Sequence, residues 1–209
     1  MGYPTIEPPA TVDLLIVTHE HRDHKAVDAI GGEPVLLRSL AGTHESPLGK
    51  VVAIASEHDG VAGTERGQKT IVVFELDGIR IARFGDFGQP AVRPEQRAHL
   101  DGIDLLLVPV GGGPTINGAT AAGIATELGA AWVVPMHHRT ERINFLEPVD
   151  DFLAAMPRAV RLDSNAFDTA DLKRARSPRR LCPPRPERGR GPKRDRARDA
   201  AISEAARAG

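Results

Sequence analysis

Thr18-His19-Glu20-His21-Arg22-Asp23-His24 follows directly on the apolar run Leu14–Val17, and no other feature constrains the chain as strongly. A short apolar run ending in polar residues reads as a buried strand. Three histidines and an aspartate are therefore delivered at a strand's end, just ahead of a helical stretch. In extended backbone, residues two apart point the same way, which sets the His19 and His21 imidazoles side by side for one metal ion. The turn that follows presents Asp23 and His24 to a second. Neutral imidazoles with a carboxylate suit zinc, and manganese and iron also accept N and O ligands together. A solvated loop has no use for this density of ligands, and burying them without metal or hydrogen-bond partners is costly.

The rest of the chain must supply a scaffold for that loop. Apolar runs bounded by turn residues predict strands at Asp13–Val17, Val51–Ala55, Ile71–Leu76, Ile79–Phe84, Asp104–Val108 and Trp132–Val134. Asp77-Gly78, between two of them, is a hairpin signal. Helices are predicted at Ala26–Ile30, Pro94–Leu100, Ala119–Leu128 and Pro148–Ala155, interleaved with the strands. The expected architecture is a mixed α/β layered domain. With 41% hydrophobic but only 4% aromatic residues, its core must be built from Val, Ile, Leu and Ala. The single cysteine, Cys182, excludes an intramolecular disulfide and a multi-thiolate zinc site, and points to a reducing compartment. The first ten residues lack the apolar core of a secretory signal, and no run reaches the length of a membrane span. The expectation is a cytoplasmic protein without a membrane partner.

The net charge of −1 conceals an asymmetry: residues 173–209 hold 13 Lys and Arg against 4 acids, and residues 1–172 hold 14 against 24. The stretch from Arg174 to Arg198 is rich in Arg and Pro and nearly devoid of large apolar residues, so it cannot offset its own ordering entropy. A folded domain at 1–172 and a basic disordered tail at 173–209 are expected, with a short helix near Ala200–Ala206. A basic tail can bind nucleic acid. Without interleaved aromatics, a solvated extension is the favoured reading.

Three further motifs follow in order: Ser56-Glu57-His58-Asp59, with Arg66-Gly67-Gln68-Lys69-Thr70 downstream; Phe84-Gly85-Asp86-Phe87-Gly88; and Pro135-Met136-His137-His138. With His-x-His-x-Asp-His, the ordered set resembles the metallo-β-lactamase superfamily, in particular the branch of metal-dependent hydrolases that includes ascorbate-phosphate lactonases. The resemblance runs from about Gly2 to Asn165. It implies an αββα sandwich in which His58 completes the first metal site, Asp86 bridges both ions and His137 serves the second. The implied metal ligands are His19, His21, Asp23, His24, His58, Asp86 and His137, with Asp23 and Asp86 catalytic. The glycines around Asp86 agree, since a bridging carboxylate needs a tight turn and close approach. Two divalent ions, zinc foremost, would hold a bridging hydroxide and hydrolyse an ester, lactone or phosphoester of a small molecule. The alternatives are a catalytically silent metal-binding protein or truncated family remnant, and a nuclease anchored by its basic tail.

Other residues carry less. Asp59 is either a group that supports the ligands or a plain loop acid, and His138 is either a proton donor or a surface residue. His44 and His99 read as surface histidines. Val110–Thr115 is glycine-rich but lacks the Gly-Lys-Ser/Thr of a phosphate loop, so it is assigned shape rather than chemistry. No Gly-x-Ser-x-Gly elbow exists, and Cys182, in the tail, is a poor nucleophile candidate. The branch usually has a histidine three residues after the bridging aspartate, where this chain has Gln89. It also begins with a β-hairpin ahead of a segment like Gly2-Tyr3-Pro4, where this chain starts. A sandwich lacking its first hairpin, with exposed strand edges, is therefore expected.

Overall fold

The computed structural model describes residues 11–162, 166–174 and 179–182. In it the predicted apolar runs become strands, mostly with one to three residues added at their ends. β1 (Leu14–Val17) pairs in parallel with β2 (Val35–Arg38) in a two-stranded sheet. A second sheet collects β3 (Gly42–Ser46), β4 (Gly49–Glu57), β5 (Gln68–Leu76), β6 (Ile79–Arg83), β7 (Leu105–Pro109), β8 (Trp132–Met136), β9 (Ala159–Arg161) and β10 (Arg179–Cys182) in the order β3-β4-β5-β6-β7-β8-β10-β9. β3 to β6 are antiparallel neighbours, and from β6 onward the pairing is parallel. The β5–β6 hairpin turns on Asp77 (φ 53°) and Gly78 (φ 71°). Two successive positive φ values are what the right-handed twist of a two-residue hairpin requires.

The helices are α1 (Pro94–Leu100), α2 (Gly118–Leu128), α3 (Asp150–Ala155) and α4 (Thr169–Arg174). α2 starts where the Asn117 side chain accepts a hydrogen bond from Thr120 N at 2.9 Å and ends at left-handed Gly129. Alternate residues of the parallel strands feed two separate cores. Leu106, Val108 and Val133 join Phe84, Phe87, Leu100, Ile124 and Phe152 on one face, whereas Leu105 and Trp132 join Ile79, Ile81 and Leu172 on the other. Both faces of the sheet's parallel half are thus covered, as parallel pairing demands. The layered α/β expectation holds.

Some elements differ from their sequence reading. The helix predicted at Ala26–Ile30 is a single 3-10 turn at Val27–Ala29 that buries nothing, because no apolar face spans more than one turn there. β2 and β3 were not predicted: β2 is a short apolar run left mostly exposed, and β3 is polar and mostly exposed. The boundary expected at Leu172 falls inside α4, and Leu172 is buried in the second core. β10, within the stretch expected to be disordered, pairs with both β8 and β9. Gly2–Pro4 and the helix expected at Ala200–Ala206 lie outside the described residues. No helix among the described residues is long and apolar enough to cross a membrane.

Candidate metal centre

The C-terminal ends of β1, β4, β6 and β8 each release one ligand segment: Thr18–His24, His58, Asp86 and His137. β4, β6 and β8 run in the same direction, so their ends lie on one edge of the large sheet. β1 is brought there by the Thr70 N–H, which donates to Thr18 O at 3.0 Å.

The side chains converge on the carboxylate of Asp86. Its Oδ2 lies 3.2 Å from His58 Nε2, 3.4 Å from His24 Nε2, 3.7 Å from His137 Nε2 and 3.8 Å from His19 Nε2. His19, His21 and His58 offer ligand atoms within 4.8 Å of one another, and so do His19, His24 and Asp86. The first trio matches the set expected for the first metal ion. Asp23 sits at the rim, exposed, with Oδ2 3.7 Å from His24 Nε2.

Four of the five imidazoles are oriented from behind. His58 Nδ1 donates to Pro114 O at 3.0 Å, leaving Nε2 for the centre. His21 Nε2 donates to Arg66 O at 3.1 Å, which leaves Nδ1 as its available ligand atom. His19 Nδ1 is 3.2 Å from Thr18 Oγ1, and Thr115 Oγ1 is 3.5 Å from His137 Nδ1. Outer hydrogen bonds of this kind fix the tautomer and ring orientation of metal-ligating histidines. His19 is 2% exposed, and its Nε2 is buried with no hydrogen-bond partner. An unpaired buried nitrogen beside an ionised carboxylate and four other imidazoles is the arrangement a divalent cation completes. The donor set fits the metal that the sequence implies.

The electrostatics point the same way. Burial, helped by the neighbouring His24, His58 and His21, lowers the pKa of His19 to about 3 against the pull of Asp86. Burial also lowers His24 and His137 against the pull of Asp86. For His58 burial is outweighed by its hydrogen bond to Asp86 and the charge there, so its pKa is raised. Burial alone would raise Asp86, but the His58 hydrogen bond and the charges of His24, His137 and His19 hold it well below the usual carboxylate range. Mostly neutral imidazoles around an ionised carboxylate are the protonation states that metal binding needs.

The backbone is built tightly around these groups. A Cβ on Gly88 would lie 2.4 Å from the carbonyl of His58 and from Asp59 N, and one on Gly111 would lie 2.1 Å from His137 O. The glycine-rich loop therefore supplies shape to the site by pressing on the His137 backbone. His137 itself is held at φ 50°, a strained region for a non-glycine residue and one typical of functional positions. Gly88→Ala is expected to lower thermal stability, by about 1–3 kcal/mol or more as in other overpacked sites, and to reduce metal uptake. Thermal melts and elemental analysis check this, and unchanged values in both would show that the close approach is dispensable.

Sequence reasoning left the support of the site unresolved. Asp59 accepts four backbone N–H bonds, from Val61 and Gly63 on Oδ1 and from Glu65 and Arg66 on Oδ2, at 2.7–3.1 Å. It closes the loop whose Arg66 carbonyl orients His21, so it supports a ligand without facing the centre. Gln89, where the resembled branch has histidine, is also a support: Glu57 N donates to its Oε1 at 3.1 Å, and it pairs with Gln96, whose Nε2 reaches Ala55 O at 2.8 Å. Arg93 braces the same segment through Glu57 at 2.8 Å. The position of Gln89 relative to Asp86 was the only sequence signal for this network. Glu20, between His19 and His21, is tied to Arg38 by two bonds of 2.8–2.9 Å and to Ser39 at 3.0 Å, which anchors the first ligand loop to the end of β2. His138 is half-buried with Nδ1 3.1 Å from Arg139 O.

Residues 2–137 match a family model described as the β-lactamase superfamily domain. Among curated relatives, a metal-dependent hydrolase of Korarchaeum cryptofilum is 33% identical over 149 residues, covering 61% of this chain and 65% of its own length. A metal-dependent hydrolase of Bacillus velezensis is 27% identical over 191 residues, covering 77% of this chain and 82% of its own. Among solved structures, a Zn-dependent hydrolase of the metallo-β-lactamase superfamily from Thermotoga maritima superposes with a TM-score of 0.66 at 26% identity, covering 86% of this chain and 85% of that one.

Proposed function

The chain belongs to the metallo-β-lactamase superfamily, and from that membership we propose that it is a metal-dependent hydrolase with a dinuclear centre, acting on an ester, lactone or phosphoester of a small molecule. The observation that carries this reading is His19 Nε2, buried and unpartnered at the focus of the ligand set. His19, His21 and His58 would hold one ion, Asp23, His24 and His137 the other, with Asp86 between them. The N and O donor set, without thiolate, favours zinc, with manganese or iron as substitutes. Two bound divalent ions supply Lewis acidity toward a carbonyl or phosphoryl oxygen and lower the pKa of a water towards neutrality.

The protein's own groups have distinct tasks in this scheme. Asp86 stays ionised across the working pH range and would screen two bound ions from each other. The Pro114 and Arg66 carbonyls keep His58 and His21 in the tautomers that offer a free nitrogen to the centre. Asp23, at the rim and open to solvent, accepts a hydrogen bond from the attacking water and orients it.

A screen of the metal-loaded chain against lactones, phosphodiesters and acyl esters tests the proposal. Turnover of one class that disappears with a chelator is expected. Metal uptake with no turnover of any class would favour the catalytically silent reading. Turnover restricted to RNA or DNA, with strong salt dependence of binding, would favour a nuclease.

A further inference from the structure

Lys69, the second residue of β5, is 3% exposed and takes part in no ion pair within 4 Å among the described residues. A charged ammonium has three N–H donors and no acceptor. Three acceptors surround it: Thr70 O at 2.8 Å, Ser56 Oγ at 3.4 Å, and Phe84 O. Two of these lead directly into the metal centre. Phe84 O is the last carbonyl before Gly85-Asp86. Thr70 donates to Thr18 O through both its N–H, at 3.0 Å, and its hydroxyl, at 3.4 Å, and Thr18 precedes His19. Thr18 Oγ1 then lies 3.2 Å from His19 Nδ1.

The packing around Gly85 shows how closely these groups are joined. Gly85 adopts φ 57°, and a Cβ there would lie 3.4 Å from both Lys69 Cε and Thr18 Oγ1. The lysine stem, the Thr18 side chain and the Asp86 turn thus meet at one point. An apolar side chain of equal length would fill the volume but leave the Thr70 and Phe84 carbonyls without this donor, and buried carbonyls without partners are costly.

We propose that Lys69 is a positioning residue of the metal centre, tying the turn that carries Asp86 to the loop that carries His19 and so setting the spacing of those two ligands. This rests on the reading of the centre as a metal site. The test is Zn2+ affinity of the full-length chain by competition with a chromogenic chelator, run at a temperature where circular dichroism shows each variant folded, with melting of the metal-free forms in parallel. Lys69→Met is expected to weaken Zn2+ binding by about 10–100-fold, the usual effect of losing a group that orients metal ligands. Lys69→Gln, which keeps an amide donor but not the charge, is expected to recover part of that loss. A purely structural lysine would lower the melting temperature and leave the affinity of the folded chain at its original value, and that result would overturn the proposal. If Lys69→Met does not fold, Lys69→Gln decides by the same criterion. If the unsubstituted chain takes up no Zn2+, the metal reading itself falls and this inference with it. Wild-type uptake with unchanged variants overturns the inference alone.

Discussion

Substituting Asp86 with alanine is expected to strip the chain of stably bound metal and to lower hydrolytic turnover by more than about 100-fold, beyond the 10–100-fold typical of groups that only orient ligands. Four imidazole nitrogens stand within 3.2–3.8 Å of its Oδ2. Removing the carboxylate removes both an expected ligand and, among the described residues, the one negative charge buried among these imidazoles. The metal-free variant is expected to fold, because Phe84 and Phe87, whose rings lie 4.9 Å apart in the core, hold the turn on either side of Asp86. Elemental analysis after reconstitution and a turnover assay under the same conditions decide the matter. Full metal occupancy with unchanged turnover would reduce Asp86 to a turn residue.

Acid is expected to destabilise the metal-free chain steeply. An unfolded histidine takes up its proton near pH 6.5, whereas His19 in the fold resists until about pH 3. Between those values the unfolded state binds more protons, so stability falls as pH drops, at about 1.4 kcal/mol per unit and on the order of a few kcal/mol in total for His19. His24 and His137, also lowered, act in the same direction. His58, raised, opposes them: its contribution is present at low pH and lost as pH rises through its native value. The contribution of Asp86, lowered, is present above about pH 4 and is lost only as pH falls towards its native value, below the histidine window. Melting temperatures of chelator-treated protein from pH 8 to pH 4 should therefore decline below about pH 6.5. A flat profile would show that the imidazoles are not held neutral in the interior.

What could be read from the sequence follows from how locally each feature is specified. The first ligand loop was legible because three histidines and an aspartate crowd one strand end. The β5–β6 hairpin was legible because Asp77-Gly78 encodes its backbone angles directly. His58, Asp86 and His137 were legible only as an ordered set, since each alone is an ordinary residue at the end of a strand. β2 was hidden because Val35 and Leu36 are exposed rather than alternating between core and solvent. The task of Asp59 depends on donors up to seven residues away, whose convergence no local pattern predicts. Lys69 was hidden for a related reason: a lysine near a strand's start reads as solvated, and its burial against the Phe84 carbonyl, just beyond β6, shows it turned inward.

The four strand ends that feed the centre also impose an order of events. During synthesis a chain emerges from its N-terminus and can fold as it does so. His19, His21 and His24 are available early, yet the ligand set proposed for a second ion would stay incomplete until β8 has emerged and His137 with it. A metal joining these segments would then act as a staple across long loops, restricting the unfolded chain as well as the native one. Capture of a full metal complement would thus be a late step in the life of the nascent chain. The cell's supply of free metal would bear on how much finished protein persists, as well as on how fast that protein works.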